Sequence, residues 1–167
     1  LVAAALPTLA FAAPGKAPPT VLVVGDSLSA EYGIARGSGW VALLTQRLQD
    51  EKVAAQVVNA SVSGDTTSGG RSRLPALLKE YKPAVVIIEL GGNDALRGLP
   101  LKMTHDNLAA MTRAAKAAGA RVLIAGMQVP PNYGRAYTDA FAALFRSVAD
   151  REKAALLPFF LDGVAER

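Results

Sequence analysis

Apolar residues along this chain fall into short unbroken runs, separated by segments in which they recur every three or four positions. Residues 21–24, Val-Leu-Val-Val, have no polar break and read as a strand buried on both faces, as in a parallel sheet under helices. Four more strands, less uniformly apolar, are expected at 55–59, 84–90, 122–127 and 156–161. Helical spacing fills the intervals. Trp40, Leu44 and Leu48 share one face of a helix that Ser38 can cap and that runs to about Glu51. Leu74, Leu77, Leu78 and Tyr81 share a face over 71–81, where Pro75 sets the regular start at or just before itself. Leu108, Met111 and Ala115 mark a helix over 104–118 that Gly119 ends, and Phe141, Leu144, Phe145 and Val148 mark another over 137–152.

Strands alternating with helices, with no internal repeat, predict an α/β domain: a doubly wound, mainly parallel five-stranded sheet with right-handed crossovers. The expected strand order is the flavodoxin-like 2-1-3-4-5, with helices on both faces. A chain of 167 residues, 51% hydrophobic and 19% charged, suits one such domain and excludes disorder. The net charge of +4 is scattered and aromatic residues make up only 6%, so the charge reads as solvation and no nucleic-acid partner is expected. The absence of cysteine excludes disulfides, thiol catalysis and a cysteine zinc site, and a single histidine excludes a histidine-rich metal site.

Residues 1–13 are apolar and uncharged, and they close on an A-x-A pattern at Ala10, Phe11 and Ala12. The stretch is too short to span a bilayer and reads as the remnant of a secretory signal, followed by a Pro-rich linker over 14–19. The folded domain is therefore expected over 20–167, periplasmic or secreted, with no stable membrane insertion. The front lacks Met and a positive flank, so a clipped start is expected.

The first run stops at Gly25-Asp26-Ser27. Glycine permits the sharp bend, and Ser27 then stands at the carboxyl edge of the sheet, where open α/β sheets hold their ligands. Gly64 follows the second strand and Asn93 the third, so the topology brings all three to one edge. No G-x-G-x-x-G follows the first strand, which argues against a dinucleotide site. The sequences G-D-S-L-S, N-A-S-V-S-G-D-T and E-L-G-G-N-D, in this order and setting, resemble the motifs of the SGNH hydrolases, the GDSL esterases. The resemblance runs from about Thr20 to the end and is closest to the bacterial periplasmic thioesterase I, lysophospholipase I and arylesterase group.

That resemblance implies a serine esterase or thioesterase working through an acyl-enzyme on small-molecule esters or thioesters, as a monomer, with no cofactor and no metal. It implies Ser27 as the nucleophile, and the N–H of Ser27, the N–H of Gly64 and the side-chain amide of Asn93 as oxyanion donors. Each residue type suits its task. Glycine admits the substrate without a Cβ in the way, and an amide is a neutral donor that does not over-stabilise a ground-state anion. Asp26 is expected to accept turn N–H groups rather than act as acid or base. Asp94 and Leu96, in the loop after strand three, and Val129, in the turn after strand four, are expected to flank the acyl group.

A serine hydroxyl needs a base, and the family places a histidine in a D-x-x-H motif near the carboxyl terminus. Here the only histidine is His105, in M-T-H-D-N-L, and it reads as an exposed first-turn residue. Asp162-Gly163-Val164-Ala165 has the look of the motif with alanine in the fourth place. The expectation is a chain clipped at both ends, whose acid, base and last helix lie beyond Arg167. The alternatives are a non-catalytic binding module that keeps the pocket, or an O-acetyl carbohydrate esterase or acyltransferase of the same fold.

Overall fold

The structure, a computed structural model, describes residues 17–164. The signal-like segment 1–13, the start of the linker and Ala165 lie outside the described residues. Five strands form one sheet: β1 (Thr20–Gly25), β2 (Gln56–Asn59), β3 (Val85–Glu89), β4 (Arg121–Ala125) and β5 (Ala155–Leu157). Their order is β2-β1-β3-β4-β5 and every pairing is parallel, as the alternating pattern predicts. The crossovers carry α1 (Trp40–Asp50), α2 (Thr67–Tyr81), α3 (Gly92–Leu96), α4 (Leu101–Ala117) and α5 (Arg135–Glu152).

Alternation along the strands divides the core between the two faces. Leu22, Val24, Val86, Ile88, Val122 and Ile124 pack with residues of α2, α4 and α5 in the larger cluster. Leu108, Met111 and Ala115 of α4, and Phe141, Leu144, Phe145 and Val148 of α5, are all buried there, as their spacing requires. The opposite face holds Val23 and Ile87 against Val41 of α1, with Val21, Val85 and Leu123 only half-buried. Helices thus cover both faces, but among the described residues α1 alone packs on the second. No described helix is long and apolar enough to cross a membrane.

Several boundaries depart from the sequence reading, each for a local reason. Ser38 does not cap α1: its hydroxyl donates to the Ala35 carbonyl, and the N-cap is Gly39, whose N–H goes to the Glu31 carboxylate. Helix α2 starts at Thr67, well before Pro75, because the Thr66 hydroxyl accepts from Gly69 N–H and the Asp94 carboxylate accepts from Thr67 N–H. Helix α4 starts at Leu101 behind Pro100, so His105 is a half-buried second-turn residue rather than an exposed first-turn one. Strand β5 is only Ala155–Leu157, since Pro158 cannot donate to a ladder and Phe159 to Val164 turn away.

Candidate active site

The turn after β1 is held from below. Asp26 is 3% exposed and its Oδ1 accepts the Leu28 N–H at 3.0 Å, the turn-acceptor role its sequence position suggests. Its carbonyl accepts from the N–H groups of Ser29 and Ala30 at 3.2 and 2.9 Å. Ser27 sits half-buried on this turn, and its hydroxyl has no hydrogen-bond partner among the described residues.

The loop after β2 continues alongside β1, with Ala60 N–H donating to Val23 O at 2.9 Å and Val62 N–H to Gly25 O at 3.0 Å. It arrives at Gly64, where φ is +77°, a left-handed conformation that glycine adopts without the Cβ penalty. The Gly64 carbonyl is held at 2.7 Å by Arg97 Nη2. Arg73 ties the same loop to the strand end: its Nε donates to Asp65 Oδ2 at 2.8 Å, and its guanidinium also reaches the carbonyls of Ala60 and Gly25.

Asn93, in the first turn of α3, closes the arrangement. Its Nδ2 donates to Asp26 Oδ2 at 3.0 Å and to the Asp65 carbonyl at 2.9 Å, so one amide joins the neighbour of Ser27 to the neighbour of Gly64. Ser27, Gly64 and Asn93 are therefore gathered at one edge, from three loops. Burial raises the Asp26 acid above the usual carboxylate range, the charges of Asp65 and Asp94 add to this, and the Leu28 N–H and the Asn93 amide work against it.

Beside this edge opens an apolar cavity of about 140 Å³, lined by Leu28, Leu96, Met127, Val129, Phe159 and Phe160 among others. Leu96 and Val129, two of the residues expected to flank an acyl group, both line it. Asp94 does not. It is 0% exposed, and its carboxylate accepts from Thr67 N–H at 2.9 Å, from the Thr67 hydroxyl and from Thr104 Oγ1 at 3.2 Å. Facing inward, it pins α2 to α3 and α4 and cannot flank an acyl group. Asp94→Ala would strand a buried N–H and two hydroxyls, so a loss of about 3 kcal/mol in unfolding free energy is expected from urea denaturation. A loss under about 1 kcal/mol would show that those donors find other partners.

His105 is not beside Ser27. Its Nδ1 lies 3.3 Å from Asp106 Oδ1 and its Nε2 lies 3.4 Å from Ser147 Oγ, between α4 and α5. Three residues that sequence reasoning left unassigned frame the site: Arg73, Arg97 and Glu89. The two arginines carried no local signal, because their carbonyl partners are distant in sequence. Glu89 did carry one, as the lone charge closing the apolar run A-V-V-I-I-E-L.

The chain is similar to known proteins along most of its length. The family profile described as GDSL-like Lipase/Acylhydrolase matches residues 23–167. The chain is 58% identical over 145 residues to Esterase TesA of Pseudomonas aeruginosa, covering 87% of this chain and 72% of that protein. It is 45% identical over 145 residues to Thioesterase 1/protease 1/lysophospholipase L1 of Escherichia coli K12, covering 87% of this chain and 68% of that one. Among solved structures it resembles AlinE4, described as an SGNH-hydrolase family esterase, with a TM-score of 0.87 and 38% identity over 93% of this chain and 82% of the other.

Proposed function

The chain belongs to the GDSL-like lipase/acylhydrolase family, and we propose that it hydrolyses carboxylic esters or thioesters through an acyl-enzyme formed on Ser27. The observation that carries this reading is the Asn93 amide, held between the Ser27 turn and the Gly64 loop beside an apolar cavity. The Ser27 oxygen attacks the acyl carbonyl, the leaving alcohol or thiol departs, and water then releases the acid. The negative oxygen of each tetrahedral intermediate is met by the N–H groups of Ser27 and Gly64 and by Asn93. An acyl chain lies against Leu96 and Val129, which supports a small to medium acyl group over a bulky polar one. The relatives' names, an esterase on one side and a thioesterase and lysophospholipase on the other, support both ester and thioester substrates. A periplasmic or secreted location is proposed from the apolar residues 1–13.

The proton of Ser27 needs an acceptor, and His105, engaged with Asp106 and Ser147, is not placed to be it. We therefore expect residues 17–164 by themselves to turn over p-nitrophenyl esters at no more than the residual level of a triad stripped of its base, about 10³ to 10⁴ over water. A second reading of the same apolar cavity is a module that binds acyl ligands without cleaving them. Steady-state hydrolysis of p-nitrophenyl acetate, butyrate and octanoate and of an acyl-thioester by the full-length protein separates the two. Binding of the acids with no turnover of any ester would support the module. His105→Ala should leave full-length turnover within about threefold, and a collapse of activity would assign the base to His105 after all.

A further inference from the structure

Beneath the turn that carries Ser27 lies a carboxyl group with no part in the chemistry above. Glu89 ends β3, in register with Gly25 of β1, and is 0% exposed on the face that α1 covers. Its Oε2 accepts from Ser29 Oγ at 2.6 Å and from the Asp26 N–H at 3.3 Å. Ser29 Oγ in turn accepts from Trp40 Nε1 at 3.0 Å, and the Trp40 ring meets Phe160 of the cavity wall edge-on at 5.3 Å. Gly25 leaves the room this needs: a Cβ there would stand 2.6 Å from Ser29 Oγ and 2.7 Å from Glu89 Oε2.

Ser27 stands between the two residues Glu89 holds, Asp26 by its amide and Ser29 by its hydroxyl. We propose that Glu89 is a positioning residue for the reaction at Ser27: one carboxyl oxygen accepts from both flanks of the nucleophile turn and ties them to the end of β3, and an uncompensated charge on the other oxygen would open this buried anchor to water. The proposal rests on Ser27 being the nucleophile.

The surroundings favour the neutral form. From the β1 turn Glu89 faces the Asp26 carboxylate, and from α1 the uncharged Trp40 indole. The cation of this quarter, Arg73 on α2, is spent on Asp65 and on the carbonyls of Ala60 and Gly25. Oε1 is buried with no partner among the described residues, so an ionised Glu89 would leave uncompensated charge on that oxygen. Burial, with the Asp26 charge adding to it, pushes this acid up to about 8. The native state therefore keeps a proton that the unfolded chain has released, from its ordinary 4.5 up to about 8. Stability falls as pH rises through that window and levels off above it.

Trp40 is the chain's only tryptophan, so its emission reports on this network without interference. Emission and thermal midpoint are to be followed from about pH 4 to about 9.5 in the full-length wild type, Glu89→Gln and Ser29→Ala, bracketing the window. Wild type should show an emission step with a midpoint near 8, absent in Glu89→Gln and reduced in Ser29→Ala, and its thermal midpoint should fall with pH more steeply than that of Glu89→Gln. Turnover should follow. The wild-type kcat should decline along an alkaline limb with the same midpoint, and Glu89→Gln should remove that limb. Glu89→Ala should lower kcat about tenfold or more with KM changed less than about threefold, and Gln should restore most of that loss. A flat wild-type emission overturns the proposal, as does a step that persists in Glu89→Gln, or a kcat profile that Glu89→Gln leaves unchanged. If instead Ser27→Ala keeps its turnover, it is the esterase reading that fails, while the emission titration stands or falls on its own.

Discussion

Ser27→Ala is expected to abolish ester and thioester hydrolysis by the full-length protein. The two-step route places the acyl group on one oxygen, and neither of the next two residues of the same turn can replace Ser27. Leu28 is apolar, and Ser29 is 1% exposed with its hydroxyl committed to Glu89 and Trp40. Removing the nucleophile of such a site costs on the order of 10⁶ in kcat when nucleophile and base act as a unit. Binding should survive, because the cavity walls come from Leu96, Met127, Val129, Phe159 and Phe160 and owe nothing to the hydroxyl. Retention of more than about one per cent of wild-type turnover would rule out the acyl-enzyme route through Ser27. The fold should be unaffected, since the hydroxyl has no partner among the described residues, and an unchanged thermal midpoint checks this.

How much of this could be read from the chain depends on how local each determinant is. The strands were legible because residues 21–24 and 84–90 are apolar on both faces, and the alternation of strand and helix then leaves few topologies. The buried stripes of α4 and α5 were legible for the same reason. The start of α2 was not, because what extends it back from Pro75 to Thr67 is a carboxylate 27 residues away in sequence. The same bond misled the reading of Asp94. A charged loop residue beside Asn93 looks like a ligand contact until the fold turns it inward onto Thr67 and Thr104. Ser27, Gly64 and Asn93 were legible because each follows a strand in a quotable motif. The bonds that fix their spacing, from Arg73, Arg97 and Glu89, are tertiary and leave no periodic trace.

Asn93→Ala is expected to lower kcat about a hundredfold or more while KM moves less than about threefold. In the free protein both hydrogens of the amide are in use, one on Asp26 Oδ2 and one on the Asp65 carbonyl. A neutral ester carbonyl competes poorly for either of them, so the ground state gains little from Asn93. The tetrahedral oxyanion competes well, because its charge strengthens the bond it receives, and a hydrogen drawn from the Asp65 carbonyl reaches it with the Asp26 bond still holding the amide in place. On the proposed route, that difference between the two states is the contribution Asn93 makes to lowering the barrier. Asn93→Asp tests the sign of the effect. The side chain keeps its size but becomes an acceptor set against Asp26, with Asp65 and Asp94 adding like charge nearby, so it should be no more active than Asn93→Ala at neutral pH. A rise in KM with kcat intact in either variant would mean that the amide holds the substrate rather than its transition state, and would move the oxyanion site onto the N–H groups of Ser27 and Gly64 alone.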